Sequence, residues 1–295
     1  NFGVTVPLQG IRARLLVTFL LASVLPLALG GLVFYRLVNQ TITTETFEKV
    51  AFARDAKASE VAQYVTYASR QAENLAQSAN VRYSVGEFYG FSHALRQMEG
   101  TPEEAGAQLR SIFGVDSAAG NPAEEEIEDQ LLREALEYSN THRRFHRDFE
   151  EFLREAEFDN LYLADRHGQV VYSVYKDAYL GRPLNQRVIG LGQAYYKVTT
   201  GAGFDPVFQD FAVDAITGEL AAYLAVPVRL HGSHRGAMIL RIPPNSLEAL
   251  VTESDADVSV LSSGGIVIAS NGGPAAGGPV KMPKQMTGLD GVAVL

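Results

Sequence analysis

The apolar positions of this chain change rhythm along its length, and each rhythm predicts a different element. Residues 15–35, LLVTFLLASVLPLALGGLVFY, carry no charge. At about 1.5 Å per residue, a helix of this length reaches the roughly 30 Å of a membrane hydrocarbon core. Pro26 and the Gly30-Gly31 pair disfavour a soluble helix interior but are tolerated inside a membrane span. A cleaved signal peptide, with Ala28 and Gly30 at the cleavage site, is the rival reading; this run exceeds the usual apolar region of about 7 to 15 residues. Residues 40–80 then lack Pro and Gly, and Phe47, Val50, Val61, Tyr64, Val65, Ala68, Leu75 and Ala79 recur at spacings of three and four. The pattern predicts one long helix of roughly 60 Å, serving as a stalk and as the spine of a homodimer. It lacks the strict heptad of a simple coiled coil.

Residues 81–120 read as short helices, one starting at Thr101 with Pro102 and Glu103-Glu104 in its first turn. Another starts at Asn121-Pro122 and runs to about Glu157 with a break near Ser139-Asn140. It is expected to bury Ile127, Leu131, Leu132, Leu136, Phe145, Phe149, Phe152 and Leu153. After Phe158 the period becomes alternating. Strands are expected at 161–164 and 169–175, around the turn Asp165-Arg166-His167-Gly168, and again at 208–214, 221–229 and 236–242. From residue 258, VSVL and IVIAS predict a further strand pair, followed by a Gly- and Pro-rich stretch at 271–283 and a closing GVAVL strand. The expected fold class is α+β: a transmembrane helix, a long stalk helix, a helical cap, an antiparallel sheet and the start of a second lobe. The corresponding ranges are 1–14, 15–35, 36–80, 81–250 and 251–295.

Composition narrows the function classes. With 25 Lys+Arg against 34 Asp+Glu, the net charge of -9 argues against phosphate-backbone binding, so no nucleic-acid partner is expected. The absence of cysteine removes disulfides, thiolate nucleophiles and cysteine-rich metal sites. Arg12 and Arg14 precede the apolar run, whereas Arg36 follows it ahead of Glu45 and Glu48. The positive-inside bias therefore puts the N-terminus in the cytoplasm and everything after residue 36 outside. The chain opens on Asn1 and stops inside an apolar run, so it is expected to be a piece of a longer protein.

Four stretches, in this order, carry a resemblance to a known family. They are Tyr138-x3-His142-x2-Phe145-His146-x2-Phe149-x2-Phe152-Leu153; FDNLYLADRHGQVVYSVYKDAYLGRPL at 158–184; FQDFAVD at 208–214; and AAYLAVPVRLHGSHRGAMILRIP at 221–243. Together they resemble the extracytoplasmic Cache sensor of the double-Cache type, a PAS-like fold of bacterial chemoreceptors, sensor histidine kinases and membrane-bound nucleotide cyclases. The resemblance implies a bacterial inner-membrane receptor that binds a small molecule outside the cytosol. Its output module, a kinase, chemotaxis hairpin or cyclase, would lie beyond Leu295. The chain departs from the amino-acid-binding pattern, because without Trp it has no Arg-x-Trp-Tyr clamp; Ala194-Tyr195-Tyr196-Lys197 occupies the comparable place.

Tyrosines crowd the predicted sheet: Tyr162, Tyr172, Tyr175, Tyr179, Tyr195, Tyr196 and Tyr223. Each offers an apolar body and a polar tip, which suits a pocket for a small polar ligand and equally suits half-buried sheet packing. Asp210 and Asp214 are expected on one strand face, to receive an ammonium group, to pair with Lys176 or Lys197, or to sit at a solvated edge. The expected ligand-binding set is Tyr172, Tyr175, Lys176, Tyr195, Tyr196, Asp210, Asp214 and Tyr223. His142 and His146 share a helix face at metal-ligand spacing, but Arg143, Arg144 and Arg147 crowd them with positive charge. Hydrogen bonding across to the sheet, or a place at the lobe surface, is the favoured role. His231 and His234 flank a turn and are expected to be solvated. No nucleophile elbow or phosphate loop is present in the sequence, so neither catalysis nor a cofactor is expected. The rival classes are a membrane-anchored metal-dependent hydrolase and a module that senses a partner protein.

Overall fold

The computed structural model describes residues 10–117, 122–156, 158–185, 187–201, 205–252, 259–271, 276–279, 288–289 and 292–294. The chain divides into two units, Asn1–Ala53 and Arg54–Leu295. The first unit holds most of the apolar part of helix α1 (Ile11–Gln77). Its segment Arg14–Leu37 has a mean hydropathy of 2.3 with no residue buried, and by length and composition it can cross a membrane. The Thr18 and Ser23 hydroxyls within it are satisfied locally: Thr18 Oγ1 donates to the Arg14 carbonyl and Ser23 Oγ to the Phe19 carbonyl, each at 2.9 Å. Such back-bonding lets hydroxyls sit in an apolar environment.

In the second unit, the later turns of α1 bury Val61, Ala68, Ala72 and Ala76. These positions recur at spacings of seven and four, so one stripe of small residues faces the core. The helix ends at Gln77, earlier than residue 80, because Ser78 takes extended backbone and its Oγ accepts from Val81 N at 3.3 Å. That contact caps α2 (Ala79–Ser84), which is followed by α3 (Phe91–Arg96). Helix α4 (Pro102–Ile112) opens as expected, with a reciprocal capping box between Thr101 and Glu104.

Helices α5 (Glu124–Glu134) and α6 (Leu136–Ala156) correct the expected break. It falls at Ala135 rather than Ser139-Asn140, and Ala123 is the N-cap, while Asn121 lies outside the described residues. The shift changes the helical phase. Leu131, Phe145, Phe149 and Leu153 are buried as expected, but Leu132 and Leu136 are exposed.

The sheet is antiparallel, built from β1 (Asn160–Asp165), β2 (Val170–Ser173), β3 (Val207–Val213), β4 (Leu220–Leu230) and β5 (Ser233–Ile242) in the order β2-β1-β5-β4-β3. The α+β class holds. Burial does not alternate along β1 and β2, where every residue is buried, because both faces of the sheet are covered. One face, with Leu161, Leu163, Leu224 and Leu240, packs with the helical layer. The other carries Tyr162, Tyr223 and Ile239 and packs with Tyr179, Leu184 and α7 (Leu191–Thr200).

The turn before α7 is pinned to the helical layer at Gly106, where an added Cβ would lie 2.4 Å from the Gly181 carbonyl oxygen. A 3₁₀ turn at Pro244–Leu247 and α8 (Glu248–Thr252) lead to a second sheet of β6 (Ser259–Ser262), β7 (Val267–Ser270), β8 (Gly288–Leu289) and β9 (Val292–Val294), ordered β7-β6-β9-β8. Strand β9 falls within the GVAVL run, as expected. Residue 258 and much of the Gly- and Pro-rich stretch lie outside the described residues.

Candidate ligand site

The most elaborate polar cluster lies on the sheet face covered by α7. Asp214, in the turn after β3, is 1% exposed. Its Oδ1 accepts from the backbone N–H groups of Ile216 and Thr217, both at 2.9 Å, which shapes the turn. Its Oδ2 accepts from Tyr179 Oη at 2.6 Å and Tyr223 Oη at 2.5 Å. Gly190, at φ +91°, begins α7 directly against this group, and an added Cβ there would lie 2.6 Å from Asp214 Oδ2. Only glycine suits that approach, on both steric and backbone grounds.

A second carboxylate, Asp177, is linked to the first through Tyr179. Asp177 accepts from the Tyr162 hydroxyl, from Asn160 Nδ2 at 3.2 Å and from the Tyr179 backbone N–H at 3.0 Å. Burial pushes its carboxyl above the usual range, opposed by these hydrogen bonds and by Arg241. Burial likewise raises the Tyr162, Tyr179 and Tyr223 hydroxyls, and the neighbouring carboxylates add to the effect. The tyrosines are therefore neutral donors at ordinary pH, gathered around two acceptors in a water-poor layer. Such a set can hold a polar ligand by exchanging one internal hydrogen bond for one to the ligand.

The expected ligand residues do not assemble in one place. Tyr223, Asp214 and Tyr195 lie on the α7 side, where Tyr195 Oη donates to the Asp165 carbonyl at 3.0 Å. Burial pushes the Tyr195 hydroxyl up to about 12. Tyr172 and Lys176 belong to the helical side: Tyr172 stacks on Phe91 at 4.3 Å, and Lys176 Nζ lies 4.5 Å from the Tyr172 ring centroid. Tyr175 and Tyr196 are exposed. Asp210 reaches the second sheet, its Oδ2 accepting from Ser263 N at 2.5 Å and Ser263 Oγ at 2.6 Å. The two carboxylates thus part company, because the register shift between Gln209 and Ala212 breaks the alternation that would have put them on one face. Asn160, Asp177, Gly190 and Arg241 were not among the expected site residues. The Tyr-x-Asp spacing of Tyr175 and Asp177 gave no signal of its own.

Of the histidine pair, His146 bonds across to the sheet, its Nδ1 2.7 Å from Tyr172 Oη, while His142 stacks on it at 4.2 Å and its Nε2 finds no partner. His231 is exposed, but His234 departs from expectation, since its Nε2 is buried without a partner. Among the described residues no group of three or more His, Asp or Glu side chains is placed to hold a metal.

No family model matches the chain. No curated protein matches it either. Solved structures do. The sensor domain of the V. cholerae histidine kinase DctB matches at 19% identity and a TM-score of 0.37, covering 57% of this chain and 66% of that one. The chain thus spans just under two thirds of that domain. The ligand-binding domain of the Campylobacter jejuni chemoreceptor Tlp3, in complex with 4-methylisoleucine, matches at 13% identity and a TM-score of 0.35, covering 67% and 73%. That of the Pseudomonas fluorescens chemoreceptor CtaA, in complex with L-serine, matches at 16% and 0.32, covering 61% and 71%. Scores of this size carry no residue-to-residue correspondence.

Proposed function

We propose that this chain is the extracytoplasmic ligand-sensing region of a membrane signal-transduction receptor, of the sensor histidine kinase or methyl-accepting chemotaxis type. The observation that carries the reading is the buried Asp214–Tyr179–Tyr223 cluster, joined to Asp177 through Tyr179 and closed by the approach of Gly190. A small molecule bearing an ammonium group is the ligand whose chemistry fits a buried carboxylate. Differential affinity for two arrangements of the sheet and its cover would bias α1, the helix that holds both core positions and the apolar segment. The orientation follows the arginine bias, with the N-terminus in the cytoplasm of a bacterial cell and the sensor outside. A homodimer through residues 36–80 completes the receptor.

The test is a melting-temperature screen of the full chain in detergent micelles against a panel of amino acids and biogenic amines. At least one amine is expected to raise the melting temperature, and Asp214→Asn is expected to abolish that shift while the variant stays folded. No hit in the panel, or a hit that survives in both Asp214→Asn and Asp177→Asn, overturns the reading.

A further inference from the structure

A cavity lies on the opposite side of the sheet from the Asp214 cluster, in the helical layer. It has a volume of about 270 Å³ between α5 and α6 and is lined by Phe113, Ile127 and Leu131 as its apolar wall and by His142, His146, Arg143 and Arg147 as its polar one. Two carboxylates, Glu124 and Glu128, and two guanidiniums, Arg143 and Arg147, line it. Glu128 lies 3.8 Å from Arg143, a long and exposed pair, and Glu124 also reaches the rim. Arg147 has no ion pair among the described residues.

Deeper in, His142 Nε2 is buried with no hydrogen-bond partner, a cost that a ligand atom would remove. One ring layer further on, Lys176 Nζ sits 5.2 Å from the Phe113 centroid, its hydrogen bonds going to the Ser173 and Val174 carbonyls rather than to a carboxylate. Burial and the nearby Lys176 charge hold the imidazoles at about 2 for His142 and about 4 for His146, so both are neutral at ordinary pH.

We infer that this cavity is a second binding site, selective for a small carboxylate with an apolar body. The carboxylate pairs with Arg147 and accepts from His142 as its Nε2–H tautomer, while the body lies against Phe113, Ile127 and Leu131. The Arg147 guanidinium at the mouth, outside any ion pair among the described residues, favours an anion. The apolar wall asks for more than an inorganic ion. The site shares no residue with the Asp214 cluster, so it stands or falls apart from the function proposed above.

The probes are phenylacetate and 3-methylbutanoate, each against its primary amide, titrated into the full chain in detergent micelles by calorimetry. At least one acid is expected to bind at least tenfold more tightly than its amide. Arg147→Gln, at an exposed position that does not bear on folding, is expected to weaken that acid at least fivefold, while Asp214→Asn leaves it unchanged. Absence of binding by both acids, equal binding of acid and amide, or an unchanged affinity in Arg147→Gln overturns the inference.

Discussion

Tyr179 and Tyr223 donate to one and the same oxygen, Oδ2 of Asp214, at 2.6 and 2.5 Å. Tyr179 comes from the segment after β2 and Tyr223 from the middle of β4, so the shared acceptor fastens the cover to the sheet.

Sharing sets the expected energetics. Either Tyr179→Phe or Tyr223→Phe leaves Oδ2 with one donor and should cost roughly 1–2 kcal/mol, the range of a single buried hydrogen bond. The double variant leaves a buried oxygen without a partner, so its cost should exceed the sum of the two by at least about 0.5 kcal/mol. Denaturant unfolding of the four proteins gives the cycle, and strict additivity would mean that the two hydroxyls do not depend on each other.

Gly106 is the second test of how the cover is held. An Ala in a helix interior normally gains about 1 kcal/mol over Gly. Here the new Cβ would lie 2.4 Å from the Gly181 carbonyl oxygen, with backbone rather than a flexible side chain as the neighbour. Gly106→Ala should therefore destabilise by roughly 1–3 kcal/mol despite the propensity gain, as overpacking does. A more stable variant would show that α4 and the turn at Gly181 can separate without cost.

Much of this arrangement could be read from the sequence, and the residues it could not place share a physical reason. The α4 cap and the strands were legible because Thr101, Pro102 and Glu104 act locally and alternation is a local property. The face on which a tyrosine lands is not local. Leu163 pairs with Tyr172, and Tyr162 pairs with Ser173, so cross-strand register sends Tyr172 to the helices and Tyr162 to α7. The shift between Gln209 and Ala212 separates Asp210 from Asp214 in the same way. The α5–α6 break at Ala135 has no Gly or Pro to announce it.

Lys176 gives a pH signature. Burial lowers its ammonium to about 7, against smaller opposing contributions from Asp177 and Glu150. His142 and His146 face it from α6, and both are neutral well above their own lowered values. Between about pH 7 and the ordinary lysine value near 10.4, the unfolded chain binds a proton that the folded chain does not. Stability from this group therefore rises with pH across that window, and its penalty is full below about pH 7. Lys176→Met should flatten the rise when unfolding free energies of the two proteins are compared from pH 6 to 10. A parallel offset across the whole range would show that the ammonium is solvated.

Asp210 carries the last expectation, because it joins the two sheets. Its carboxylate takes both the backbone N–H and the hydroxyl of Ser263 in the β6–β7 turn, and burial raises its carboxyl, opposed by those same bonds. Under the proposed receptor function, this short, directional contact is a polar joint between the lobes beside their apolar packing. Asp210→Ala should therefore speed amide exchange in the Ser262–Ile266 turn at least tenfold while protection in β4 and β5 stays within threefold. If protection falls equally in both sheets, the contact belongs to global stability and not to a joint between lobes. If neither changes, the second sheet is held by its apolar packing alone, through Val260, Ile268 and Ala269, which are buried with the helical-side core.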